Sequence, residues 1–135
     1  MKDVKEEIRG FAGLINSVLI PLNDNRKFQE EFRDKSLKIL LNASNLNYAA
    51  LIIVEHGTLN VKSIPNKPKS NLEKKKIGWN AYLEMDTQIF LALAMNRMSL
   101  LGVAKKWLIR KIKMKGIIKL LNLLKMINFL TEPIE

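Results

Sequence analysis

Apolar residues near the N-terminus recur every three or four positions, which is the spacing of one face of a helix. The residues on this face are Val4, Ile8, Phe11, Ile15, Val18 and Leu22. Pro21 and a run of short polar residues are expected to end the helix. Asp24 is then predicted to cap a short second helix that carries Phe28 and Phe32 one turn apart.

From residue 36 the period changes to two, which indicates β-strands. In SLKILLN, residues 36–42, apolar and polar positions alternate, so we predict a strand with one buried face. YAALIIVE, residues 48–55, is apolar almost throughout and is expected at or near the centre of a sheet. A tight turn then leads into TLNVKSI, residues 58–64, so these three strands should form a meander.

The next segments mix an exposed loop with a fourth strand and a strongly apolar helix. Residues 65–76 contain two prolines and many lysines, and they read as a loop within the domain. WNAYLEM alternates again, with Trp79, Ala81, Leu83 and Met85 predicted on one face. Asp86 or Thr87 should cap the helix TQIFLALAMN, whose apolar residues surround its whole circumference.

The C-terminal part combines a basic strand with an apolar helix. Lysines alternate with Ile112 and Met114 from residue 110 to 115, which predicts a strand that Gly116 ends. IIKLLNLLKMINFL then follows as a helix with a broad apolar face. That face is predicted to contain Ile117, Leu120, Leu121, Leu124 and Ile127.

Length and composition favour one soluble domain over residues 1–135. The chain is 47% hydrophobic and 27% charged, as is typical of globular proteins. It has no cysteine and no recognisable export signal, so a cytoplasmic location is the default expectation. Its apolar stretches are shorter than the roughly 20 residues that a spanning helix needs.

The formal net charge of +10 favours an anionic partner, such as acidic lipid head groups or a phosphate backbone. The lysines concentrate in residues 67–76 and 105–119, and a solvated face that keeps the protein soluble is the simpler alternative for both runs. Nucleic acid is the less favoured partner, because the aromatic residues form no recognisable basic and aromatic platform.

Candidates for catalysis are weak. The single histidine, His56, falls in the predicted hairpin turn, and Glu84 and Asp86 would point to opposite faces of their strand. No cluster with metal-ligand spacing and no glycine-rich phosphate loop is present in the sequence. We therefore predict no enzymatic activity, no metal and no cofactor.

The order of these elements resembles the sterol carrier protein 2-like family. WNAYLEMDTQIFLALAMNR is similar to that family's strand, Asp-bearing turn and Leu-rich helix, and RKIKMKG is similar to its lysine-alternating strand with a closing glycine. The resemblance covers roughly residues 36–130. It implies an α+β fold with a five-stranded, mainly antiparallel sheet covered by helices, which encloses a hydrophobic cavity for sterols, fatty acyl chains or similar lipids.

The resemblance also suggests which residues would contact a lipid. Flexible methionines and other apolar side chains suit a cavity that adapts to its ligand, although any one of them could simply fill a core. The predicted lipid-binding residues are Phe90, Leu91, Leu93, Ala94, Met95, Met98, Leu101, Met114, Leu121, Leu124 and Met126. Lys111, Lys113 and Lys115 are predicted to face an anionic membrane. The alternative is a homo-oligomeric module, such as a homodimer, or a partner-binding module, whose apolar helices form an interface and bind no lipid.

Overall fold

A computed structural model describes residues 10–94 and 112–131 of the chain, and five strands within these residues form one sheet. The strands are β1 (Ser36–Ala43), β2 (Tyr48–Glu55), β3 (Thr58–Pro65), β4 (Ala81–Met85) and β5 (Lys113–Lys115). Their order in the sheet is β3-β2-β1-β4-β5. Only β1 and β4 pair in parallel among the described strands, which confirms the predicted mainly antiparallel sheet and α+β class.

The meander of β1, β2 and β3 forms as the sequence predicts. Its second connection is a two-residue turn at His56 and Gly57, since Glu55 pairs directly with Thr58. Both turn residues have positive φ, which is the requirement of the type I′ turn that suits the twist of a hairpin. His56 is exposed there.

The helices lie mainly on one face of this sheet. They are α1 (Gly10–Leu19), α2 (Arg26–Glu31), α3 (Lys74–Ile77), α4 (Thr87–Ala94) and α5 (Ile117–Thr131), with 3-10 helices at Ile20–Asp24 and Lys69–Leu72. The main hydrophobic core fills the space between the sheet and α1, α2, α4 and α5. Phe11 of α1 meets Phe90 of α4 in this core, with ring centroids 5.1 Å apart.

A second, smaller cluster lies on the opposite face of the sheet. Leu40, Leu51, Trp79 and Tyr82 belong to it, and Leu72 from the lysine-rich connection covers it. The connection is therefore not the open loop that its composition predicts, because its two short helices place Leu72 against the sheet. Both faces of β1 are buried, because the main core covers one face and this second cluster covers the other. The alternation in the sequence predicts only one buried face.

The first helix ends at Leu19, and the break predicted at Pro21 is confirmed, since Pro21 and Leu22 lie in a separate 3-10 helix. Val4 and Ile8 fall outside the described residues. The predicted cap of the second helix was wrong. Asn25, not Asp24, caps α2, and its side chain accepts a hydrogen bond from the Phe28 backbone N–H at 2.9 Å.

Trp79 lies with Tyr82 in the second cluster and not on the face of Ala81. The reason is that β4 begins only at Ala81, so the alternation of a strand does not extend back to Trp79. The predicted cap at Asp86 has the expected geometry, since its carboxylate accepts a hydrogen bond from the Gln88 backbone N–H at 2.7 Å.

Candidate functional site

An open groove of about 980 Å³ lies at the edge of the sheet, where the lysine-rich connection faces β5. Five lysines line it: Lys69, Lys74, Lys75, Lys113 and Lys115. The strand alternation explains two of them, because Lys113 pairs across the strands with Glu84 and Lys115 with Tyr82, and all four side chains share one face. Glu73 is the one acidic residue described in the lining.

The remaining wall of the groove is apolar and fixed in place. Trp79 donates its indole N–H to the carbonyl oxygen of Leu72 at 2.8 Å, and its ring centroid lies 5.5 Å from that of Tyr82. The ammonium group of Lys74 lies 5.7 Å from the centroid of the Trp79 ring, within range of a cation–π interaction. The groove thus combines a packed, hydrogen-bonded aromatic wall with exposed cationic side chains.

A buried polar network adjoins this wall. Tyr82 donates its phenolic hydrogen to the carboxylate of Glu84, and the Asn42 amide donates to the same oxygen at 3.0 Å. The ammonium groups of Lys69 and Lys113 lie 3.6 Å and 3.5 Å from the two carboxylate oxygens of Glu84. Glu84 therefore joins β1, the lysine-rich connection and β5 through one carboxylate.

The network sets the protonation states of its members. Burial by itself raises the pKa of Glu84, but the hydrogen bonds from Tyr82 and Asn42, together with attraction by Lys69 and Lys113, outweigh this effect and lower the pKa below its usual value. Burial and the adjacent carboxylate raise the pKa of Tyr82. Glu84 is consequently an anion and Tyr82 a neutral donor at pH 7.

The predicted lipid-binding residues fall into different environments. Phe90 and Met126 are buried in the main core, and Leu124 is half-buried. Met114 is also half-buried, packs against the main core and lines the groove. Leu121 is exposed on the outer side of α5, because the side of that helix facing the sheet presents Leu120 and Met126 instead.

Other predicted site residues have less structural description. Leu91, Leu93 and Ala94 lie on the described backbone of α4, without described side chains. Three predicted lipid contacts and one predicted membrane contact lie outside the described residues: Met95, Met98, Leu101 and Lys111. The structure therefore brings Phe90 and Met126 together in a core and leaves Leu121 apart from them.

Besides the groove, the first turns of α5 carry a surface of exposed apolar side chains. Ile117, Ile118 and Leu121 are 48%, 80% and 52% exposed. They lie on one side of the helix, because positions i, i+1 and i+4 project in neighbouring directions. Lys115 and Lys119 are exposed beside them in sequence. Large apolar side chains grouped in this way on a surface mark interaction sites more often than scattered ones do.

Within residues 10–94 and 112–131, no group of three or more acidic or histidine side chains is arranged to hold a metal ion. Over the same residues, no helix has both the length and the apolar character needed to cross a membrane.

Comparison with solved structures identifies the fold. The UbiJ-SCP2 ubiquinone synthesis protein superposes with a TM-score of 0.62 at 9% sequence identity, and the match covers 99% of each chain. The chain has the SCP2-like fold. A double mutant of the sec-alkyl sulfatase PisA1 also matches, with a TM-score of 0.61 at 11% identity, over 91% of this chain and 16% of the sulfatase. No protein-family model and no curated protein sequence matches.

The two structural neighbours show that the SCP2-like fold can form nearly a whole chain or a small part of a much larger one. At these identities the likeness concerns the fold, and a fold alone does not determine what a protein binds. Any assignment of function must therefore use the groove, the buried network and the exposed turn of α5.

Sequence reasoning did not find the groove or the network beside it. A signal was nevertheless present, since Asn42, Tyr82 and Glu84 are polar residues inside otherwise apolar strands. Only the parallel register of β1 and β4, which places Asn42 beside Glu84, shows that these polar groups satisfy one another.

Proposed function

We propose that the protein binds a hydrophobic molecule reversibly, without making or breaking a covalent bond, and carries it between membranes. A fatty acyl chain, a sterol or an isoprenoid lipid is the proposed class of ligand. The observation that supports this most directly is the combination of the SCP2-like fold with apolar surface that α5 leaves uncovered. The absence of cysteine fits a protein of the reducing cytoplasm, which is the proposed location.

The proposed contacts within the described residues lie on α4, β5 and α5. Met114 and Leu124 are the half-buried members of this group, so a ligand could reach them without displacing the buried core. Methionine adapts to different ligand shapes because its unbranched side chain repacks at low cost. The remaining proposed contacts are those predicted from the sequence: Phe90, Leu91, Leu93, Ala94, Met95, Met98, Leu101, Leu121 and Met126.

A non-catalytic role is consistent with the chemistry of the one buried carboxylate network described above. Glu84 is held as an anion by two lysines and two hydrogen-bond donors, and this environment lowers its ability to accept a further proton. Tyr82 is held in its neutral form, which makes it a poor nucleophile or base. Binding, rather than acid–base chemistry, is the function proposed.

Native mass spectrometry of the protein purified from its expression host tests the proposal. We expect a monomer with a near-stoichiometric hydrophobic molecule that solvent extraction releases and identifies. After delipidation, the protein should bind a fluorescent fatty acid, and Leu124→Gln should weaken this binding by about tenfold through loss of apolar contact.

Leu46→Gln is the matched control, because Leu46 is partly exposed in the turn between β1 and β2, away from α5. This variant should bind the fatty acid like the unmodified protein. An empty monomer that fails to bind the probe would contradict the proposal. An empty dimer would favour the alternative, an interaction module that uses the same helices as an interface.

A further inference from the structure

The lysine groove and the exposed turn of α5 adjoin each other at β5, the edge strand of the sheet. Lys113 and Lys115 belong to β5 and line the groove, and one residue separates Lys115 from Ile117. We propose that this edge of the molecule docks on an anionic phospholipid bilayer. The docking edge is defined by Lys69, Lys113, Lys115, Ile117 and Ile118.

The apolar part of the docking edge cannot be buried by the packing of α5 itself. Leu120 and Met126 occupy the side of the helix that faces the core, and Ile118 and Leu121 point away from it. Transfer of these exposed side chains from water into an apolar medium is favourable in proportion to the area removed from water. An interface helix in a bilayer buries its apolar side in this way while its polar side stays hydrated.

The lysines of the docking edge indicate that the apolar medium is an anionic bilayer. Five lysines line the groove against the single described carboxylate of Glu73, and Glu84 beside it is already paired with two of the lysines. An anionic leaflet attracts such a cluster through its surface potential. The phosphates of the head groups would meet Lys113 and Lys115 at the level where the following isoleucines enter the acyl region.

Charge also favours a bilayer over other possible partners of the docking edge. A second copy of this chain would bring two docking edges of the same sign together, on proteins that each carry a net charge of +10. A free phosphate ion would satisfy the lysines and leave Ile117 and Ile118 in water. An anionic bilayer satisfies both parts at once, and it does so whether or not the protein carries a ligand.

A dye attached at one position tests insertion directly, because the chain has no cysteine of its own. Ile118→Cys, labelled with an environment-sensitive fluorophore, should show a blue shift and stronger emission with vesicles of equal phosphatidylglycerol and phosphatidylcholine. Pure phosphatidylcholine vesicles should give no change. Ile20→Cys is the matched control, since Ile20 is 42% exposed in a different helix and should show no shift.

Vesicle sedimentation of unlabelled variants tests the energetics. Lys113→Gln combined with Lys115→Gln should lower the partition coefficient about fivefold per lysine, and Ile118→Gln about tenfold. Lys62→Gln is the control, because Lys62 is exposed on β3 at the opposite edge of the sheet and should change partition little. Circular dichroism verifies that each variant is folded.

Three results would overturn the docking edge. The first is binding to anionic vesicles without a shift at position 118, which would mean that the lysines act without insertion. The second is release from vesicles by inorganic phosphate at constant ionic strength, which would identify a small-anion site. The third is a dimer in solution that Ile118→Gln dissociates. Fatty-acid binding by the same variants is measured separately, so loss of docking alone leaves the proposed ligand binding intact.

Discussion

At the scale of single residues, Glu84 illustrates how a buried carboxylate can stabilise a sheet. Its oxygens accept hydrogen bonds from Tyr82 and Asn42 and lie near the ammonium groups of Lys69 and Lys113. Four partners offset the cost of removing one charge from water, which a single partner rarely does. Since the partners come from β1, β4, the lysine-rich connection and β5, the network fixes the position of that connection relative to β5.

Replacement of Glu84 by glutamine should lower the free energy of unfolding at pH 7 by about 1–3 kcal/mol, because the contacts with two lysines and a buried hydrogen-bond acceptor are weakened. The pKa of Glu84 is lower in the folded state than its ordinary value of 4.5. The stabilisation by the carboxylate is therefore present above about pH 4.5 and is lost as the pH falls through the folded-state pKa. In urea denaturation, the unfolding free energies of Glu84→Gln and of the unmodified protein should converge below that pH.

Glu55→Gln serves as the control for this comparison. Glu55 is exposed at the end of β2, so its replacement should change the unfolding curve little at either pH. A difference between Glu84→Gln and the unmodified protein that stays constant from neutral to acid pH would show that Glu84 does not stabilise the fold through its charge.

Gly116 offers a second test at the residue scale. Both Gly116 and Gly10 have φ of +70°, where a side chain costs about 1–2 kcal/mol. A Cβ atom at Gly116 would also overlap the carbonyl oxygen of Asn80, whereas a Cβ at Gly10 meets nothing within 4 Å. Gly116→Ala should therefore lower the unfolding free energy by clearly more than Gly10→Ala does. If the two variants lose equal stability in thermal or urea unfolding, Gly116 does not approach Asn80 closely.

At the scale of elements, the cap of α2 connects the two ends of the described chain. The Asn25 side chain accepts a hydrogen bond from the Phe28 backbone and donates one to the carbonyl oxygen of Phe129 in α5 at 3.4 Å. Asn25→Ala should cost about 1 kcal/mol of stability from the cap alone. Asp24→Ala, one residue away and without the capping bond, should cost less. If urea denaturation shows a larger loss of stability for Asp24→Ala than for Asn25→Ala, then Asp24 caps α2, as the sequence predicts.

The elements that sequence periodicity predicted well are those with a strong local signal. β1, β2 and β3 have alternating or wholly apolar runs separated by turn residues, and their hairpin register follows from a two-residue turn at His56 and Gly57. Local patterns also predicted β4, α4, β5 and α5 in their order along the chain. The resemblance to sterol carrier proteins added their arrangement with the meander in one five-stranded, mainly antiparallel sheet.

The elements that were predicted poorly depend on contacts that are distant in sequence. The two short helices between Lys69 and Ile77 form because Leu72 finds an apolar surface on β1 and β2, which no local pattern reveals. Which residues of α5 face the sheet could not be predicted for a related reason. Its residues are apolar nearly all round, so periodicity could not say that Leu120 faces the core and Leu121 faces outward.

At the scale of the whole molecule, the excess of lysine has opposite consequences for binding and for stability. It attracts anionic partners over distances of about a Debye length, roughly 10 Å at 0.1 M salt. It also makes the folded state repel itself, because a net charge of +10 is confined to 135 residues. Lys74, Lys75 and Lys76 are consecutive in α3, so repulsion should be strongest there.

The unfolding free energy should accordingly rise with added sodium chloride at pH 7, since the salt screens this repulsion more in the compact state than in the expanded one. Lys76→Gln and Lys35→Gln remove the same charge from different surroundings. Lys76 lies among lysines, so its removal should stabilise the protein at low salt and reduce the salt response. Lys35 lies 2.7 Å from the carboxylate of Glu31, so its removal should destabilise the protein at low salt. Equal effects of the two replacements in thermal unfolding would mean that net charge matters and its distribution does not.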